Sequence, residues 1–219
     1  DLEMIKDRMR RVTRQITNCI EISRRYLRLL TPNSHAQGTV WVNQILVDLG
    51  DLVRALPDAR GHDLQIKPLP RDSMVLLNGT DLIQMLLNLT INALQCTREC
   101  HLVEVRGQTL LNPLDMSLFQ DSPNERFINR EEFQNITPLM AISITDNGPG
   151  MAPVVLERIF EPYFTSQPTG KGAGLGLCIV RRLLKEAKGG LHVHSELGRG
   201  SVFTLYLPAR HTSPEPAKG

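Results

Sequence analysis

Three stretches of this 219-residue chain hold residues whose types and spacing could do chemistry. Asp146-Asn147-Gly148-Pro149-Gly150-Met151 puts a carboxylate among glycines, directly after the alternating run Ala141-Ile142-Ser143-Ile144-Thr145. Gly172-Ala173-Gly174-Leu175-Gly176-Leu177 opens an apolar helical run, and Ile159-Phe160-Glu161-Pro162-Tyr163-Phe164-Thr165-Ser166 lies between the two clusters. Upstream, Gln84, Asn88, Asn92 and Gln95 sit three or four residues apart, which sets them on one face of a helix. A glycine turn feeding a helix N-terminus aims N–H donors at an anion, and the helix dipole favours negative charge there. The second cluster therefore suits a phosphate chain. The first lets a flat ring approach Asp146, whose carboxylate accepts from an exocyclic amine, as on a purine. An amide oxygen from the helix suits Mg²⁺, a hard cation that keeps water and phosphate as its other ligands.

Each feature also has a plainer reading. One glycine cluster alone is a turn, Gly172 to Leu177 lacks the Lys-Ser/Thr of a P-loop, and a row of amides is often a solvated stripe. Two clusters in this order beside two amides on an apolar helix, where unpaired burial is expensive, favour a site.

These residues need elements to position them. The pattern predicts strands near 64–67, 74–77, 102–110, 140–145, 191–196 and 202–207, with helices over 80–99 and 174–187. Thr80 reads as the N-cap of the first helix, after Asn78-Gly79 and with Asp81 in its first turn. Residues 111–137 are polar and irregular, which predicts an inserted surface loop. The order argues an α/β sandwich, a mixed sheet with helices on one face.

At this point the chain resembles a family. Leu87 to Gln95, Asp146 to Met151, Phe160 to Thr165 and Gly172 to Leu177 resemble the four nucleotide-binding motifs of sensor histidine kinases, within the wider gyrase, Hsp90, histidine-kinase and MutL ATP-binding fold. Gly198-Arg199-Gly200-Ser201-Val202-Phe203 and Leu205-Tyr206-Leu207-Pro208 resemble its last glycine motif and strand. Phe160-Glu161-Pro162-Tyr163-Phe164-Thr165 points to the nitrogen-regulation-like subgroup. The resemblance spans roughly residues 64–208. It implies that Asn92 holds Mg²⁺, that Asp146 takes the adenine amine beside Gly148 and Gly150, and that Asn88 faces the phosphates. It implies a mobile lid over residues 166–174, flanked by Phe160, Phe164 and Thr165. Further ATP contacts follow at Lys171, Gly172, Gly174, Leu175, Gly176, Leu177 and Thr204. Gln167 stands where close relatives carry Lys, with Lys171 as the compensating cation.

Ahead of this region, Leu2, Ile5, Met9, Val12, Ile16, Cys19, Ser23, Tyr26 and Leu30 alternate three and four apart, a 3.5-residue seam with basic flanks. A breaker cluster over residues 31–38 precedes a second apolar pattern, Val40 to Leu56. The expectation is a helical hairpin over 1–56, paired in a homodimer as a four-helix bundle, then a hinge at 57–63, the ATP-binding domain at 64–208 and a polar tail at 209–219. The overall class is α+β. The helix at residues 2–30 has no cap at its start, which predicts a longer helix and an input domain upstream.

One departure bears on chemistry. The family's phosphoacceptor pattern, His followed by Glu, then Asn and Pro, aligns Arg14 with the His and Gln15 with the acid, while Asn18 matches and Cys19 replaces Pro. A guanidinium offers no lone pair for phosphoryl transfer, and an amide is no general base. A degenerate kinase, a deliberate change and a different register stay open.

A net charge of +2, with 41% hydrophobic and 22% charged residues, reads as an ordinary globular protein without a nucleic-acid surface. No apolar run reaches membrane-span length, and no signal peptide is visible. The four cysteines, Cys19, Cys96, Cys100 and Cys178, are scattered and complete no metal set, consistent with reduced thiols in a cytoplasmic protein. His192 and His194 share a strand face and read as exposed positions rather than a metal pair. His35 and His62 lie in the helix-connecting loop and the hinge. Three functions compete: a kinase core passing phosphate to a response regulator, a non-catalytic module docking a partner kinase or regulator, and a gyrase- or Hsp90-type hydrolase. The last is weakest, because Asn88 stands where those relatives carry the water-activating Glu.

Overall fold

The computed structural model describes residues 38–165 and 174–210. In chain order the elements are β1 Val40–Trp41, α1 Val42–Arg54, β2 Asp63–Ile66, β3 Met74–Val75, α2 Gly79–Gln95, β4 Leu102–Leu110, β5 Glu125–Ile128, β6 Leu139–Asp146, α3 Pro153–Leu156, α4 Gly176–Glu186, β7 Gly190–Glu196 and β8 Gly200–Arg210. The sheet is mixed. β2 pairs parallel with β4, whereas β4–β6, β6–β8, β7–β8 and β5–β7 are antiparallel. Strand β8 is long enough to pair with β7 over its first half and with β3 at its end. Side chains alternate across the strands. One face carries Val103, Val105, Ile142, Ile144, Phe203 and Leu205, all buried, and α2 lies over it between α1 and α4.

Helix α2 is the centre of the core. Leu82, Met85, Leu86 and Leu89 are fully buried, at three- and four-residue spacing, and each contributes about 1.5–3 kcal/mol by leaving water. Its start differs from expectation by two residues. Asn78, not Thr80, is the N-cap, with its Oδ1 accepting from Thr80 N at 2.9 Å.

The hairpin expectation needs a larger correction. The second apolar pattern does form a helix, α1, but Val42, Ile45, Leu46, Leu49 and Val53 are buried against α2 within the compact unit Gln37–Gly219. Preceding it, β1 joins the sheet through Val40↔Val75 and Trp41↔Met74. An amphipathic stripe must be covered, and here the ATP-binding-type unit covers it, so α1 is not the return helix of a bundle. The segment 57–63 is likewise tied to this unit. Pro57–Ala59 forms a turn, Asp58 accepts from Gln95 Nε2 at 2.8 Å, and the His62 ring meets His101 edge-on at 4.4 Å. The seam at residues 2–30 and the tail from residue 211 lie outside the described residues.

The insertion at 111–137 is more ordered than a polar loop. It adds β5 to the sheet beside β7, and Phe119, Phe127 and Phe133 cluster on Tyr206. This small aromatic core covers the sheet face opposite α2. It also covers His192, whose ring meets Phe119 at 5.0 Å, while His194 Nδ1 lies 3.2 Å from Glu125 of β5. These histidines are therefore capped by the insertion rather than standing on an open strand surface.

Candidate functional site

The site is built where the C-terminal end of β6 meets α2 and the start of α4. Asp146 ends β6 with only 4% exposure. Its Oδ1 accepts from Gly148 N at 3.0 Å, and Cys96 Sγ approaches the same oxygen at 3.8 Å. Burial pushes the carboxyl above the usual carboxylate range, while the Gly148 N–H, the nearby His101 and Cys96 pull it back down. Gly148 must be glycine here, because a Cβ would fall 2.4 Å from Cys96 Sγ and 2.9 Å from Asp146 Oδ1. A side chain at this position would also close the approach to the carboxylate.

The last glycine motif holds the first in place. A Cβ on Gly150, at φ +65°, would stand 2.0 Å from Glu196 O, and one on Gly200, at φ +96°, would stand 2.0 Å from Asp146 O. Gly198 N donates to Pro149 O at 2.7 Å, and Met151 N donates to Ser195 Oγ at 2.9 Å. The two motifs are thus backbone against backbone, and the loop bearing the carboxylate is rigid.

Asn88 of α2 stands against Gly176 of the second glycine cluster. Asn88 is buried and donates through Nδ2 to Gln84 O at 2.9 Å, which leaves its Oδ1 pointing at Gly176, 3.2 Å from where a Cβ would stand. Gly176 is the first residue of α4, an 11-residue helix with no side-chain cap and no acid in its first turn. Its leading N–H groups remain available to an anion. One turn along α2, the buried Nδ2 of Asn92 has no partner. An orphaned buried N–H donor beside an anion-binding helix start fits a group whose partner is an acceptor on a ligand, such as a phosphate oxygen, and leaves the amide oxygen of Asn92 as the atom a cation would use.

Gly174 O accepts from Tyr163 N at 2.9 Å, so Gly174 is held beside Tyr163. Phe160 is buried, and Phe164 lies under the Arg158 guanidinium at 4.6 Å. Thr165 is exposed, and Leu175 and Leu177 are half-buried at the start of α4. Lys171 and Gly172, with Gln167, fall outside the described residues, as do Arg14 and Gln15.

Thr204 is the misplaced member of the expected set. Ser201 pairs with Asp146 across β6 and β8 and shares its face; Thr204, three residues on, lies on the opposite face and bonds Ser143 Oγ at 3.0 Å. The hydroxyl beside Asp146 is that of Ser201, which also bonds Ser195 Oγ at 3.0 Å. Counting strand parity from Asp146 would have found it. Cys96 and His101 carried no sequence signal for this site; only the fold brings them beneath Asp146.

A family model described as "Histidine kinase-, DNA gyrase B-, and HSP90-like ATPase" matches residues 78–211. Among curated proteins, sensor histidine kinase ZraS of Salmonella typhimurium is 30% identical over 184 residues, which are 83% of this chain and 33% of ZraS. Two-component sensor PprA of Pseudomonas aeruginosa is 33% identical over 152 residues, 68% of this chain and 14% of PprA. The chain therefore spans about a third or less of these relatives' lengths. Among solved structures, full-length ShkA in complex with AMPPNP is 26% identical with a TM-score of 0.54, covering 81% of this chain and 32% of ShkA. The mycobacterial sensor histidine kinase MprB shares the fold, with a TM-score of 0.56 at 23% identity over 81% of this chain and all of the MprB chain.

Proposed function

We propose that this chain, which belongs to the histidine kinase-, DNA gyrase B- and HSP90-like ATPase family, binds ATP with Mg²⁺ as the nucleotide-binding part of a sensor histidine kinase. The observation that carries this reading is the convergence of a buried carboxylate, an orphaned amide and an uncapped helix start on one cleft. Asp146 accepts from the adenine amine. The leading N–H groups of α4 donate to phosphate oxygens, with Asn88 alongside. Asn92 would hold Mg²⁺, which supplies charge neutralisation at the phosphates when bound.

The hydrolase alternative is disfavoured by Asn88, whose amide is committed to Gln84 O and takes no proton from water. Phosphoryl transfer to a His and relay to a response regulator are the activities of the proposed whole protein. The helix predicted over residues 2–30 holds no His, with Arg14 and Gln15 at the aligned positions. In either register it offers no acceptor nitrogen, and the acceptor is a His outside it. The 2–30 seam is a self-association surface.

Incubation of this chain with γ-labelled ATP and Mg²⁺ tests the reading. The expected outcome is saturable ATP binding with little or no acid-labile phosphate on the chain. Free phosphate at each turnover would support the hydrolase instead, and strong labelling would place the acceptor within these residues, at His35 or His62.

A further inference from the structure

His101 lies under the candidate adenine site with 7% exposure. Its Nδ1 is 3.1 Å from Glu99 O, and its Nε2 is 2.8 Å from Ala93 O. Carbonyl oxygens only accept, so the Nε2 facing Ala93 O carries a hydrogen. Ala93 lies in the last turn of α2, where the carbonyls lack intrahelical partners and accept from other donors. The same Nε2 stands 3.5 Å from Cys96 Sγ, which in turn stands 3.8 Å from Asp146 Oδ1.

The polarity of this chain is fixed by its ends. Asp146 ionised can only accept, and the single Nε2–H of His101 is shared between Ala93 O and the longer contact to Cys96 Sγ, so the thiol accepts from His101 and donates to Asp146. Burial and the Asp146 charge push the Cys96 thiol up to about 12, so it keeps the hydrogen it donates. The other groups facing the ring agree. Burial and the charge of His101 hold His62 below its usual range, against the pull of Asp58, so the ring edge-on to His101 is neutral. Glu99 contributes its backbone oxygen, and Asp63 N donates to His101 O at 3.0 Å.

We propose that His101 is a positioning residue for nucleotide binding: through Cys96 it forms a donor chain that keeps Asp146 an ionised acceptor for the purine amine. This rests on the ATP-binding reading above. A buried carboxylate without the chain takes up a proton more readily and loses its role as acceptor.

The experiment is calorimetric titration of residues 1–219 with ATP and Mg²⁺ between about pH 5 and 8, for the parent, His101→Gln, Cys96→Ala and Cys96→Ser. Parent affinity falls on acidification as Asp146 protonates. His101→Gln and Cys96→Ala are expected to move that acid limb upward by on the order of one pH unit, so that affinity near its midpoint drops about tenfold. Cys96→Ser, whose hydroxyl both accepts and donates, is expected to restore the parent profile. The titration of the nucleotide is common to all four. Cys96→Ala leaves His101 on its two carbonyls, so the Cys96 pair decides the matter even if His101→Gln does not fold. Affinity lowered equally at every pH, or Cys96→Ala and Cys96→Ser both matching the parent, would overturn the donor chain while leaving ATP binding intact. A parent that binds no ATP would overturn the functional reading and this proposal together. The ring ¹⁵N resonances of His101 give a readout without nucleotide: a hydrogen on Nε2 is expected, and a ring protonated on Nδ1 alone refutes the chain.

Discussion

Asp146 is held where burial works against its charge. Because burial raises its folded pKa above the unfolded value, its contribution to stability is present in full below the unfolded value and is lost as pH rises through the folded one. At neutral pH the folded chain therefore carries an ionised carboxylate at a cost in stability. Asp146→Asn keeps the shape and the acceptor for Gly148 N–H but removes the charge. It is expected to weaken ATP binding by about 1–3 kcal/mol, the scale of an unsatisfied buried polar contact. Its unfolding temperature at pH 7 should equal or exceed that of the parent, with the difference shrinking toward pH 4. Calorimetry and thermal unfolding check both halves, and unchanged ATP affinity would sink the adenine assignment. At this scale the sequence was readable where chemistry and spacing are local: Asp146 with Gly148, and Asn88 with Asn92. Thr204 failed because strand parity was not counted from Asp146, and Ser201 took its place. Cys96 and His101 were unreadable because their relation to Asp146 is purely tertiary.

The elements show a different limit. Apolar periodicity located α1 and α2 and the strands β4, β6, β7 and β8 to within a few residues. It could not say what covers an apolar stripe, and α1 packs on α2 rather than on a bundle partner. Leu49, with no exposed surface, is the test residue. Leu49→Ala is expected to destabilise the unit containing the nucleotide site by about 2–5 kcal/mol in urea unfolding, as large-to-small changes in packed cores do. A mutant with unchanged unfolding but weakened self-association would restore the hairpin. The insertion escaped prediction for a related reason. Phe119, Phe127 and Phe133 follow no strand or helix period, and their shared partner, Tyr206, lies far away in sequence.

For the molecule as a whole, the chain divides at Gln37. The chain from Gln37 onward contains every described residue of the site. It is expected to fold alone, bind ATP with the affinity of residues 1–219 within a factor of about two, and run as a monomer, whereas the longer chain self-associates through the 2–30 seam. Light scattering and calorimetry on the two lengths check this. Loss of ATP binding on removing residues 1–36 would show that the site extends into them, and equal masses per particle would remove the seam from the account.

The attachment of β1 has a mechanical consequence. Val40↔Val75 and Trp41↔Met74 are the two residue pairs joining β1 to β3, with Val42 N donating to Ser73 O at 3.0 Å beside them, and β3 meets β8 through Met74 and Val75, with Leu76 N donating to Pro208 O at 3.0 Å just beyond. Asn43 reinforces the join, accepting from Leu69 N at 2.8 Å and donating to Leu69 O at 3.2 Å. Tension applied at Val40 therefore loads two rungs, the Val42–Ser73 backbone bond and the bonds of Asn43 to Leu69 and Asp72 before it unseats α1, and α1 rests on the helix that carries Asn88 and Asn92. Under a steady pull in a force spectrometer, this corner is the fuse. It yields first, and the yielding loosens the support behind the nucleotide cleft while the long β6–β8 ladder still holds.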